Sequence, residues 1–222
     1  SPAIGATTGG TVVTVTGSNF ISSPAARCKF GTMSSSLATV LSSSTVRCVS
    51  SASPSTGSAV VMFSNDMSYY SASTASFVYV PVTNTTSLYP SLGPGSGGVV
   101  TIYGSGYIST STLSCWFVSP NTRVLATYLS TTAVACTTPP ADTVPSSTSV
   151  EVSLNNQDFT SVGLSYAYFV TPNVTALSKT YGSTLGGTLV SVIGSNFIAG
   201  STYCRFGLSR VSANFLTSTL MT

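Results

Sequence analysis

The chain has 222 residues, with seven Lys or Arg against four Asp or Glu, and no His. Only 5% of its residues are charged and 42% are hydrophobic, whereas about a quarter of an ordinary soluble domain is charged. The scattered basic residues exclude a nucleic-acid-binding patch, the apolar content excludes wholesale disorder, and no apolar run reaches the roughly 18 residues of a membrane span. Ser and Thr make up about a third of the chain, which predicts a surface of hydroxyl groups.

The first predicted strand lies in GGTVVTVTGSNF, residues 9–20. It alternates Val and Thr, both β-branched, as a half-buried strand does, and its flanking Gly-rich segments mark turns. The next motifs, in chain order, are CKFG at 28–31, TVRC at 45–48, AVVMFSND at 59–66 and SFVYVP at 76–81. Short strands separated by Ser, Gly and Pro turns predict a β-sandwich of about seven strands.

The same series of motifs recurs with a period of roughly 88 residues. The recurring segments are GGVVTIYGSGY at 97–107, CWF at 115–117, AVAC at 133–136, VEVSLNNQD at 150–158, SYAYFVTP at 165–172, GGTLVSVIGSNF at 186–197 and CRFG at 204–207. We therefore predict two complete units, unit 1 at residues 1–81 and unit 2 at 82–171. Unit 3, at 172–222, is incomplete, and we expect it to continue beyond Thr222.

This ordered series resembles an IPT/TIG domain: Gly-Gly-x-x-Val-x-Val-x-Gly-Ser-Asn-Phe, Cys-[Lys/Arg]-Phe-Gly, x-Val-x-Cys and a closing aromatic strand. The resemblance covers essentially the whole chain and implies an all-β fold of tandem immunoglobulin-like β-sandwiches. Unit 2 departs from the pattern, with GSGY in place of GSNF. We expect Tyr107 to occupy the Phe position.

Two cysteines lie in each complete unit and one lies in unit 3: Cys28, Cys48, Cys115, Cys136 and Cys204. Spacing alone does not fix their connectivity, but the repeat makes pairing within a unit the simplest arrangement. The resemblance to extracellular IPT/TIG domains implies the same pairing, with the partner of Cys204 beyond residue 222. Free thiols in a reducing cell are the alternative. A metal site is disfavoured, because the chain has neither His nor a C-x-x-C motif.

Disulfides predict an oxidising compartment, so we expect an extracellular, secreted or cell-surface protein. The sequons at Asn84 and Asn173 occupy equivalent positions near the unit junctions and are predicted N-glycosylation sites. Candidate O-glycosylation sites lie in TTPPADTVPSSTS, residues 137–149, and are Thr137, Thr138, Thr143, Ser146, Ser147 and Thr148. Pro139 and Pro140 are candidates for hydroxylation. The alternative is that these segments are ordinary polar loops.

No catalytic site is predicted, because a chain without His has no Ser-His or Cys-His pair. Asp66 and Asp158 lie in matching turns, and we interpret them as repeated turn formers rather than a glycosidase pair. Trp116, the single Trp, is interpreted as core packing against a disulfide, with a sugar-binding platform as the alternative. We expect no metal and no cofactor other than covalent glycans.

Two main functions remain. The first is an extracellular structural glycoprotein that self-associates into a fibre, sheath or appendage, with exposed edge strands available for pairing. The second is a receptor or adhesin ectodomain stalk that binds a protein or glycan, which the family resemblance implies. An accessory segment of a secreted enzyme is a third interpretation, with its catalytic domain outside these residues.

Overall fold

The computed structural model describes residues 1–200 and 202–222, and within them the regular elements are 23 strands in six sheets, without a helix. Each sheet lies within one of the predicted units. The predicted all-β fold of tandem immunoglobulin-like sandwiches is confirmed.

Unit 1 is a sandwich of two sheets. Its strands are β1 (Ile4–Ala6), β2 (Val12–Thr16), β3 (Arg27–Phe30), β4 (Ser36–Leu37), β5 (Thr39–Ser42), β6 (Thr45–Val49), β7 (Gly57–Ser64) and β8 (Ser76–Val80). One sheet has the order β1-β8-β7-β3-β4, with β1 parallel to β8, and the other has the order β2-β6-β5. Alternate side chains point between the sheets. There Phe77 contacts Phe30 and Tyr79, at ring-centroid distances of 5.2 and 5.1 Å.

Unit 2 repeats this plan with one additional strand. Its strands are β9 (Asn84–Tyr89), β10 (Leu92–Pro94), β11 (Val99–Ser105), β12 (Ser114–Phe117), β13 (Thr122–Leu125), β14 (Thr127–Ser130), β15 (Ala133–Thr137), β16 (Ser146–Ser153) and β17 (Leu164–Phe169). The sheets have the orders β10-β17-β16-β12-β13 and β14-β15-β11-β9. The extra strand is β9, which pairs with the edge of β11. Strand β11 is the counterpart of β2 in unit 1.

Unit 3 has one four-stranded sheet and one isolated hairpin. Its strands are β18 (Asn173–Leu177), β19 (Val192–Ser195), β20 (Tyr203–Phe206), β21 (Ser209–Ser212), β22 (Phe215–Thr217) and β23 (Leu220–Met221). The sheet order is β18-β19-β23-β22, and β20 pairs with β21. Phe206 is 48% exposed, whereas its counterparts Phe30 and Phe117 are fully buried. Among the described residues β20 pairs only with β21, so no strand lies beside it as β7 lies beside β3 and β16 beside β12.

The Gly-Ser-Asn-Phe phrase recurs because its first, third and fourth positions have a packing or backbone requirement. The aromatic residue is buried in units 2 and 3 and partly buried in unit 1. Its ring lies directly against the first Gly: a Cβ on Gly17 would stand 2.7 Å from Phe20 Cζ, and one on Gly194 would stand 2.7 Å from Phe197 Cζ. The third position has positive φ, which Asn and Gly tolerate best; the residues are Asn19, Gly106 and Asn196. The phrase therefore encodes one tight turn that anchors an aromatic side chain.

Candidate inter-repeat interface

The turn after β16 reaches back to unit 1 and forms three hydrogen bonds with it. Asn155 Nδ2 donates to the carbonyl of Ile4 at 3.0 Å, and Gln157 Nε2 donates to the carbonyl of Val12 at 3.1 Å. In the opposite direction, the Thr11 hydroxyl donates to Asp158 Oδ2 at 2.6 Å. Thr11 is only 1% exposed, so its hydroxyl is committed to this contact. The two units are therefore joined through polar groups as well as through the chain.

Apolar packing reinforces the same junction. Val80, the last residue of β8 in unit 1, is buried within the hydrophobic core of unit 2, and Ile4 of β1 packs against that core. Beside these contacts lies a cleft of about 410 Å³, lined by the Gly9–Gly10 pair, the linker at 81–83 and the segment 158–161. Unit 1 thus contributes side chains to the interior of unit 2.

The side-chain oxygen of Asn155 closes the turn, which leaves its amide nitrogen for the neighbouring unit. Oδ1 accepts bonds from the Ser153 hydroxyl at 3.0 Å and from the backbone N–H groups of Gln157 and Asp158 at 3.0 and 2.8 Å. This is the arrangement of an Asx turn. Nδ2 also donates to Asp158 Oδ2 at 2.9 Å, which orients the carboxylate that receives the Thr11 hydroxyl.

A cation–aromatic cluster supports the outer side of the turn. The Arg123 guanidinium lies 5.7 Å from the Trp116 ring centroid and 4.9 Å from that of Phe159, and it donates to the carbonyl of Asn156 at 3.3 Å. The interpretation of Trp116 as core packing against the disulfide is wrong. Side chains alternate along β12, so Cys115 points into the core and Trp116 points outward.

The matching turn in unit 1 has the same backbone bonds but different chemistry. Asp66 Oδ1 accepts from the Ser64 hydroxyl at 2.9 Å and from the N–H groups of Ser68 and Tyr69 at 2.9 and 3.0 Å. Asp66 is therefore the counterpart of Asn155, and Tyr69 that of Asp158, which corrects the pairing of Asp66 with Asp158. The N–H groups of Tyr69 and Ser68 and the Ser64 hydroxyl hold the pKa of Asp66 below its ordinary value.

A family model, the IPT/TIG domain, matches residues 1–79 and 84–168. The chain belongs to the IPT/TIG family. Among curated proteins, none matches it significantly. Within the described residues, no helix has the length and apolar character needed to cross a bilayer, and no three His, Cys, Asp or Glu side chains are grouped as metal ligands would be.

Solved structures that resemble the chain include the extracellular region of a plexin and a bacterial adhesin, both at low identity. The full extracellular region of plexin A4 is 18% identical, with 99% of this chain and 19% of the plexin chain covered, at a TM-score of 0.48. The FdeC adhesin of Escherichia coli is 16% identical, with 96% and 82% covered, at a TM-score of 0.37. The chain therefore spans about a fifth of the plexin chain.

Each complete IPT/TIG unit contains one buried disulfide. Cys28 bonds to Cys48 and Cys115 bonds to Cys136, with Cα atoms 5.8 and 6.4 Å apart. Cys204 has no disulfide partner among the described residues. In unit 3, Met221 pairs with β22 as Val46 pairs with β5, so Met221 is the counterpart of Val46.

The two sequons occupy one structural position in successive IPT/TIG units. Asn84 and Asn173 are exposed and begin β9 and β18. The Thr two residues later lies at a β-bulge in each case. The Thr86 hydroxyl donates to the Tyr103 carbonyl, and the Thr175 hydroxyl donates to the Ile193 carbonyl, both at 3.2 Å. Each sequon Thr thus also helps to hold its bulge.

Burial divides the candidate O-glycosylation residues. Thr137, Thr143 and Ser147 are exposed, Ser146 is partly buried and Pro140 is exposed. Thr138 and Thr148 are 1% and 5% exposed. Their hydroxyl oxygens accept bonds from the Gly98 and Ser119 N–H groups. These two threonines, and the buried Pro139, are removed as candidates because a sugar there would displace core contacts.

Proposed function

We propose that this chain is a segment of an extracellular structural glycoprotein in which IPT/TIG units stand end to end as a stiff rod. The observation that carries the proposal is the joint between units 1 and 2. There the bond from Thr11 to Asp158 accompanies the burial of Val80 in the next core. In the linker, Pro81 fixes its own φ. A joint with polar bonds, shared core packing and a restricted linker favours a fixed angle between units.

Chemistry at the surface supports an extracellular location. Disulfides persist mainly in oxidising compartments, and both complete units contain one. A secreted chain would present the exposed Asn84 and Asn173 for glycosylation. Glycans would also keep a chain with only 5% charged residues in solution, a task that surface charge ordinarily performs.

Self-association of the rods is the finer part of the proposal. A half-exposed Leu recurs at the bulge of one edge strand in all three units: Leu41, Leu129 and Leu216, at 51, 52 and 52% exposure. Because the same apolar residue recurs once per unit, a partner with matching spacing would be another rod of the same repeats. We propose that these edges meet in a filament or surface layer.

Sedimentation tests self-association, with a triple variant in which Leu41, Leu129 and Leu216 are each changed to Ser. We expect the wild-type glycosylated chain to associate as its concentration rises and the triple variant to remain monomeric. The control is Leu185→Ser, because Leu185 is 97% exposed but lies outside the strands. A monomeric wild type, or equal association by the triple variant, would overturn the filament proposal.

A stalk that binds another protein is the second candidate function. It is favoured by the turn of unit 1, where Met67 and Tyr69 are 53 and 84% exposed, since exposed aromatic side chains are common at interfaces. Electron microscopy of the native source material separates the two functions. Filaments with an axial repeat of whole domains support the fibre, and isolated rods on a membrane support the stalk.

A further inference from the structure

We infer that the turn at residues 154–158 is a recognition element that fits one kind of neighbour, an IPT/TIG unit offering Thr after its Gly-Gly pair. This inference concerns which unit can precede which. It therefore stands whether the rod forms a fibre or a receptor stalk.

On the unit 1 side, only one of the three bonding groups depends on a side chain. The carbonyls of Ile4 and Val12 are backbone groups that any sequence would supply. The third group is the Thr11 hydroxyl, whose counterpart in unit 2 is Gly98: the N–H of Thr11 donates to the Ser50 hydroxyl as the N–H of Gly98 donates to the Thr138 hydroxyl. Gly has no hydroxyl, so this position in unit 2 cannot make the charge-assisted bond that Thr11 makes to Asp158. Unit 2 therefore does not offer the same docking edge as unit 1.

On the unit 2 side, the deciding atom is Asn155 Nδ2. It donates to Ile4 O and to Asp158 Oδ2, so both of its neighbours are acceptors. In unit 1, Asp66 places a carboxylate oxygen at this position of the turn. A carboxylate cannot donate, so the turn of unit 1 cannot make the joint that the turn of unit 2 makes.

The two sides together make the joint directional. A unit with Thr at the position of Thr11 fits an Asn-containing turn, whereas a unit with Gly at that position, or an Asp-containing turn, does not. The Arg123 cluster holds the turn from behind through Asn156, so the turn is already shaped when the neighbouring unit meets it. The order of units 1 and 2 is thus specified at their contact.

The chain itself supplies the substitutions that test this inference. Thr11→Val removes the hydroxyl, which the Gly98 position of unit 2 also lacks, and keeps the β-branched shape, and Asn155→Asp installs the residue of unit 1 on unit 2. The matched controls change the equivalent positions away from this joint: Gly98→Thr, where a Cβ would meet no atom within 4 Å, and Asp66→Asn. All four are made in the full chain.

The readout is the distribution of distances between spin labels on non-canonical residues at the exposed Ser55 and Ser111, one in each unit. We expect both joint variants to broaden the distribution. We also expect cleavage of the linker at 81–83 by a non-specific protease to rise roughly tenfold, as loss of a charge-assisted hydrogen bond implies. Circular dichroism and thermal unfolding establish that each variant is folded; if Thr11→Val does not fold, Asn155→Asp alone decides. Unchanged widths and cleavage rates in the folded joint variants, or equal broadening in the controls, would overturn the inference.

Discussion

Tyr107 places its hydroxyl 2.6 Å from the position that a Cβ on Gly104 would occupy. The corresponding rings in units 1 and 3 belong to Phe20 and Phe197, which have no hydroxyl group. Tyr107 is fully buried, and its hydroxyl has no hydrogen-bond partner among the described residues. Unit 2 therefore retains an unsatisfied polar group where its sister units are apolar.

Replacing this hydroxyl should stabilise the protein. We expect Tyr107→Phe to raise the free energy of unfolding of unit 2 by about 1–2 kcal/mol, because it removes a buried polar group without a partner. Urea unfolding of the full chain measures the change. Phe20→Tyr is the matched control in unit 1 and should destabilise that unit. A loss of stability in Tyr107→Phe would mean that the hydroxyl is bonded, for example to water.

The same residue predicts a response to alkaline pH. Burial raises the pKa of Tyr107 from 10.0 to about 12. Between these values the unfolded chain releases the phenol proton while the folded chain retains it. The free energy of unfolding should then fall with rising pH, with a limiting slope of about 1.4 kcal/mol per pH unit. Unfolding measured at pH 9, 10 and 11 should show a steeper fall in the wild type than in Tyr107→Phe; parallel curves would contradict the expectation.

Each disulfide should contribute separately to the stability of its own unit. Because the Cys28–Cys48 bridge joins residues 20 positions apart, the double change Cys28→Ala and Cys48→Ala should cost about 3 kcal/mol. Denaturant unfolding under oxidising conditions tests this. The control is Cys204→Ser, which should leave both complete units unchanged because Cys204 has no disulfide partner among the described residues. Equal stability of the double variant and the wild type would show that the bridge does not form.

Two variants of the sequon at residues 84–86 distinguish the loss of a glycan from the loss of the hydrogen bond made by Thr86. After expression in a secreting eukaryotic cell, Asn84→Gln should lose the mass of one glycan and keep its unfolding free energy. Thr86→Val should lose the same mass and also about 1 kcal/mol, because its bond to Tyr103 is removed. Intact mass and thermal unfolding make the comparison. A wild-type mass without added sugar would remove glycosylation from the proposal.

The repeated phrases and their order were sufficient to predict the fold. The Val and Thr alternation, the Gly and Asn turn positions and the buried aromatic residue are local signals, and Tyr107 occupies the Phe position as expected. The outward direction of Trp116 could also have been predicted, because its neighbours Cys115 and Phe117 belong to the core and side chains alternate along a strand.

The joint between units could not be predicted from the sequence in the same way. Two of its acceptors are backbone carbonyls, which every residue has, so the sequence of side chains does not mark them. The bonding groups of Thr11 and Asp158 lie 147 residues apart, beyond any local periodicity. Matching the two turns by their acidic residues gave the wrong pairs. Asn155 closes its turn as Asp66 does, so Asp158 is available to accept a hydrogen bond from the neighbouring unit.

The burial of Val80 in the following core has a mechanical consequence. When the chain is stretched from its ends, the force enters unit 2 through the linker that follows β8. Withdrawing β8 from unit 1 therefore also draws Val80 out of the interior of unit 2. Neighbouring units should resist tension together, and the first rupture should weaken the next unit along the chain.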